Sequence, residues 1–123
     1  MQKILLSLVL TFSGAQVFAC EIFDGDWSCD NGDTAGVEIK KTEKGFVMKD
    51  KKIGLSFLLD GKEHRPFLPI PHKYQGSCDN TQIELSLQAL GRTAYEKVTW
   101  IDTNTINVQS ITDGKTYNTA CKR

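Results

Sequence analysis

The sequence predicts an all-β domain: a single antiparallel meander of about eight short strands, closed into a small barrel and stapled by disulfides. Three observations point there. Short runs rich in β-branched and aromatic residues alternate with polar ones at a period of two. Gly, Asn and Asp punctuate them, including the hairpin dipeptides Asp60-Gly61 and Asp113-Gly114. No intervening stretch is long enough for the crossover helices that parallel strands need.

The elements follow in order. Trp27 opens the first run, and Val37, Ile39 and Lys41 alternate with Glu38 and Lys40. Residues 45–49 and 53–59 come next, separated by the charged turn Asp50-Lys51-Lys52. Asp60-Gly61 is read as a two-residue turn with residues 62–67 as the return strand. Pro66, Pro69 and Pro71 then impose an extended loop, because proline donates nothing to a ladder. Strands are expected at 74–77, 82–87, 95–101, 105–111 and 115–122. Residues 84–91 also fit a short helix stopped by Gly91, but Ile83, Leu85 and Leu87 alternate at period two and favour a strand.

Register sharpens the last hairpins. A two-residue turn at Asp113-Gly114 puts Ile106, Val108, Tyr117 and Cys121 on one, inner face. A similar turn at Thr103-Asn104 would send Trp100 outward, so a one-residue bulge is expected at the Asp102–Thr105 turn.

Residues 1–19 read as a cleavable export signal, leaving residues 20–123 as one mature domain. Lys3 supplies the positive start, an apolar run follows, and Val17 and Ala19 suit a signal-peptidase site. The run is shorter than the roughly 20 residues of a spanning helix. Export to the periplasm or beyond is therefore expected. Cys20 after Ala19 admits an alternative, a lipid anchor on Cys20, which would be the route to a membrane. The bulk of Phe18 and the absence of a polar tether argue against it.

Cys20, Cys29, Cys78 and Cys121 all lie in the mature part, and an even number in a small exported domain implies two disulfides. Three pairings are possible. Cys29–Cys121 is favoured because first and last strands are neighbours in a closed barrel, which leaves Cys20–Cys78. Lipidation of Cys20 would leave an odd cysteine.

Without the leader, 14 basic residues face 15 acidic ones, a balance that argues against nucleic-acid binding. The charges are segregated. Residues 21–33 carry five acids and no base, and residues 40–52 carry six lysines against Glu43 and Asp50. Solvated strand faces account for this; a basic hairpin for an acidic partner or a lipid head group is the functional reading.

Gly25-Asp26-Trp27 resembles the G-x-W signature that opens the first strand of lipocalin-like barrels. Two DGK hairpins (Asp60-Gly61-Lys62 and Asp113-Gly114-Lys115) and the stretch from Ile101 to Val108 are similar in spacing to small exported members of that group. The resemblance implies a barrel with binding in its mouth. The family's second feature, a late arginine packed over the tryptophan, has no clear match: Arg123 is terminal and Arg92 sits in a turn.

No sequence feature assigns an enzyme, a cofactor or a metal. His64 and His72 flank the proline loop and would need Asp60 or Glu63 to hold a metal, a third-ranked reading. Asp26, Ser28 and Asp30 mimic the start of an EF-hand loop, but its glycine and final carboxylate are out of place. The first expectation is a non-catalytic exported binding protein, a monomer or weak dimer, taking a small apolar molecule at the mouth near Trp27, Phe57 and Trp100. The alternative is an inhibitor or immunity-type factor. It would act on an envelope protein, for example an envelope hydrolase such as lysozyme, through the 66–72 loop, with Phe67, Leu68, Ile70 and His72 as contacts.

Overall fold

Alternating apolar and polar residues build strands along almost the whole of residues 20–29, 36–79 and 81–123, which a computed structural model of the chain describes. The export signal at 1–19, and Asp30 and Asp33 of the acidic stretch, lie outside the described residues. Ten strands form one antiparallel sheet: β1 (Gly25–Cys29), β2 (Gly36–Thr42), β3 (Gly45–Asp50), β4 (Leu55–Leu58), β5 (Glu63–His64), β6 (His72–Cys78), β7 (Gln82–Ala89), β8 (Arg92–Asp102), β9 (Thr105–Thr112) and β10 (Lys115–Lys122). Their spatial order is β4-β3-β2-β1-β10-β9-β8-β7-β6-β5.

The sheet is thus a curled half-barrel of ten strands, where about eight in a closed barrel were expected. Closure fails at one place for a visible reason. Asp60-Gly61 does not make a hairpin: β4 pairs with β3, and β5 with β6. Gly61 has a positive φ but Asp60 does not, so the turn cannot be type I′. Residues 59–62 instead cross from one sheet edge to the other, and the prolines leave β5 two residues long. The edges are laced by single bonds. Leu58 N donates to the Tyr74 hydroxyl at 2.9 Å, and Gly61 N donates to the Gly76 carbonyl at 2.8 Å.

The other turns follow the residues more closely. Asp113-Gly114 and Leu90-Gly91 both have φ above zero at both positions, as type I′ turns require. The 84–91 segment is strand up to Ala89. The β8–β9 register shifts between Trp100 and Asp102, and this bulge keeps Val98 and Trp100 on the face that carries Ile106 and Val108.

Phe23, Trp27, Ile39, Met48, Phe57, Ile83, Val98, Ile106 and Cys121 form the fully buried centre of the core. The bridges are Cys29–Cys121, between strands β1 and β10, and Cys20–Cys78, which ties the turn at 20–23 to the end of β6. Two bridges fit an oxidising, extracellular-type environment. With its sulfur in a bridge, Cys20 has no thiol for a lipid. No helix among the described residues is long and apolar enough to cross a membrane.

One end of the curl is plugged. Phe23 fills it, and the Trp27 indole N–H donates to the Phe23 carbonyl at 2.8 Å. Arg123, the terminal residue set aside on sequence grounds, lies over the Trp27 ring at 4.2 Å from its centroid. Its guanidinium donates to the carbonyls of Thr103, Asp24 and Ile22. A tryptophan–arginine pair therefore closes this end of the curl. Gly25 is required there: a Cβ would stand 3.3 Å from Arg123 Nη1, on a backbone with φ of +144°. Arg123→Ala is expected to lower stability by about 1–2 kcal/mol, measured by urea unfolding. Arg123→Lys should not restore it, because an ammonium cannot serve three carbonyls and a ring face together.

Candidate functional site: the concave face

In a meander, alternate turns lie at the same end. The turns at 42–45, 59–62 and 103–104 share the plugged end; those at 51–54, 67–71, 90–91 and 113–114 share the other, which the described residues leave open. Inward-facing side chains near the open end do not meet across the curl. They line a cavity of about 580 Å³.

Its apolar wall is built by Val37, Ile53, Leu87, Ala94, Val108 and the ring of Tyr117. Ser110, Thr112 and Thr119 add hydroxyls, and the Cys29–Cys121 bridge borders it. Two carboxyl groups face it, Asp50 from β3 and Glu96 from β8, with Lys52 on the adjoining turn. Asp50 is held in its turn, where its Oδ1 accepts from the amides of Lys52 at 2.9 Å and Ile53 at 3.3 Å.

Glu96 is the chemically unusual group. Burial, and then the negative charge of Asp50, push its carboxyl up to about 7. Alternation makes this placement legible: Glu96 shares parity with Val98 and Trp100, so it must point inward with them. The sequence reading named no role for it.

The residues expected to bind a ligand are elsewhere. Trp27 and Phe57 are fully buried in the packed core, and Trp100 is half-buried against it. None of the three lines the concave cavity. Tyr117 does line it, which is why it is exposed although its face is the inner one.

The 66–72 loop is divided. Phe67 and Leu68 project into solvent, while His72 is buried and Ile70 half-buried. His72 Nδ1 donates to the Ile70 carbonyl at 2.7 Å and so fixes the loop from inside. His64 Nε2 meets both Asp60 oxygens, at 2.9 and 3.0 Å, and stacks on Tyr74, as His72 does. Burial would raise the Asp60 carboxyl, but the bonds from His64 and the Lys62 amide outweigh it and hold the group below its ordinary value. The two histidines thus serve the closing edge. Among the described residues, no three His, Cys, Asp or Glu are arranged to hold a metal ion.

A second depression, of about 430 Å³, lies on the outer face among Ser86, Tyr95, Lys97, Gln109 and Ile111. Glu96 borders it too, but the parity it shares with Val98 and Trp100 turns its side chain to the concave face. The chain matches no family model and no curated protein.

Proposed function

We propose that the chain is an exported, non-catalytic binding protein of lipocalin-like type that takes a small amphipathic molecule into its concave cavity. The apolar body of the ligand rests on Leu87, Ala94, Val108 and Tyr117, and its polar end meets Glu96. The observation that carries this reading is a roomy, mainly apolar cavity with one water-shielded carboxyl at its wall. The Trp27–Arg123 pair at the plugged end supports the likeness to lipocalins. Compared with the sequence expectation, the ligand moves from Trp27, Phe57 and Trp100 to the open end, and gains a polar group.

Native mass spectrometry of protein purified from its own cell envelope should reveal a retained small molecule. The cavity itself is tested with the neutral dye Nile red. Ala94→Trp fills the space from a half-buried position and should weaken dye binding by at least about tenfold, or 1.4 kcal/mol. Unchanged affinity in a folded variant would remove the cavity as the site.

A second reading, a protein inhibitor acting through the 66–72 loop, draws on the exposure of Phe67 and Leu68. It is the weaker one, because His72 and Ile70 turn inward and leave two side chains to enter a cleft.

A further inference from the structure

The charges that face the concave cavity do not balance. Asp50 shares the parity of Met48, which is fully buried in the core, so its side chain turns inward at the end of β3. Glu96 turns inward from β8, and the curl brings the two close enough for the charge of Asp50 to act on Glu96. The strands beside Glu96 pair it with Leu85 and Ser110, neither of which carries a charge. From β10 comes Tyr117, and from the 51–54 turn Lys52, which is exposed. Among the described residues the lining thus sets two carboxyls against one lysine, with no arginine or histidine. The connection at 30–35 lies outside the described residues; its sequence carries Asp30 and Asp33 and no base.

The two carboxyls are held differently. Asp50 is fixed in its turn, because its Oδ1 accepts from the amides of Lys52 and Ile53. No donor among the described residues reaches Glu96, on which only burial and the charge of Asp50 act. Taking an acid partly out of water beside a second acid, without giving it a donor, costs stability. A ligand that brings donors and positive charge reverses that cost.

Taking the cavity as the small-molecule site, we propose that its ligand is a lipophilic amine bound as the cation: the ammonium donates to Glu96 and Asp50 together while the hydrocarbon body lies on Leu87, Ala94, Val108 and Tyr117. The inference rests on that site and names the polar end of its occupant. An ammonium has three donors and no acceptor, which is what two carboxylates lack. A fatty acid would bring a third negative charge to the same wall. An alcohol has one donor for two acceptors and no charge. Glu96 meets the cation as the carboxylate, so the proton it holds in the free chain passes to solvent on binding.

Displacement of Nile red by decylamine, 1-decanol and decanoate, which share one type of hydrocarbon body, tests this. Decylamine keeps its charge throughout pH 5–8, as a lysine does. At pH 8 decylamine should bind about tenfold or more tightly than decanol, and decanoate more weakly than decanol. The ratio of decylamine to decanol affinity should rise about tenfold or more from pH 5 to pH 8, because the Glu96 carboxyl, pushed up to about 7, must lose its proton to meet the cation. Glu96→Gln removes an unpartnered acid and is expected to fold. It should lower the ratio at pH 8 by about tenfold and abolish its rise with pH. Asp50→Asn, which still accepts from the two turn amides, should lower the ratio as well. Equal affinity for decylamine and decanol, or a ratio unchanged in both variants, overturns the proposal and leaves a site for neutral molecules. Tightest binding of decanoate overturns it in favour of an anion. A parent chain that binds neither Nile red nor any of the three probes removes the cavity as a site, and this inference with it.

Discussion

Replacing Cys29 and Cys121 together by alanine should lower the stability of the fold by about 4–5 kcal/mol. Two arguments converge on that figure. The bridge closes a loop of 92 residues, and the chain-entropy model assigns a loop of that size a cost near the top of its range. The second argument concerns where the bridge lies. The order of the sheet divides it into a four-stranded part, β4-β3-β2-β1, and a six-stranded part, β10 to β5. Among the described residues the two parts meet in the ladder through Ser28–Lys122 and Cys29–Cys121, whereas β9 and β10 pair along eight residues. The disulfide therefore staples a seam of two residue pairs in the middle of the sheet order, helped by Arg123, which bonds to Thr103 on one side and to Asp24 and Ile22 on the other. For a domain whose total stability is of order 5–15 kcal/mol, the loss brings the fold near its midpoint. Guanidinium unfolding of the double variant checks it, with the parent as reference. A loss under about 1 kcal/mol would mean that core packing alone holds the seam. Cys20→Ala/Cys78→Ala is the comparison: its loop of 58 residues predicts a slightly smaller loss, roughly 4 kcal/mol.

That seam also shows how far the residues alone reach. Strand identity was legible because a half-buried sheet imposes a two-residue period on its sequence, and Val37, Ile39, Ile106 and Val108 obey it. The bulge at Trp100 was legible for the same reason, as a conflict between turn length and the inward place of a large ring. The order of first and last strands was enough to favour one cysteine pairing. Asp60-Gly61 misled because its turn signal is local, while its role is set by groups outside the dipeptide: Gly76 takes the Gly61 amide, and Asp60 is held by His64. Arg123 was discounted for its terminal position, although a C-terminal strand beside β1 carries its last residue to the start of that strand. The cavity was the least legible feature. It depends on the sheet failing to close, and no pairwise pattern in the sequence records that.

The pH dependence of stability should then be set by Glu96. A carboxyl whose pKa is raised by folding, from 4.5 to about 7, is protonated in both states below 4.5 and ionised in both above 7. Between these values the unfolded chain has lost a proton that the folded chain retains, so stability falls as pH rises. The decline across this window should be roughly 2–3 kcal/mol, after allowing for the partial exposure of the side chain. Asp60, Glu63 and Asp102 act in the opposite sense, since their carboxyls are lowered in the fold. Their contribution is complete above their ordinary values and disappears only in more acid solution. Stability should therefore peak near pH 4–5 and drop toward neutrality, unlike that of a domain whose carboxylates are all paired. Glu96→Gln keeps the shape and removes the titration, so its stability should be flat from pH 4.5 to 7 and exceed that of the parent at pH 8. Urea midpoints across this range decide it. If the decline survives in the glutamine variant, Glu96 is not its source. If it vanishes, the fold tolerates an ionisable group that lowers its own stability at neutral pH. That cost is what the proposed site, with a carboxyl facing its ligand, would require.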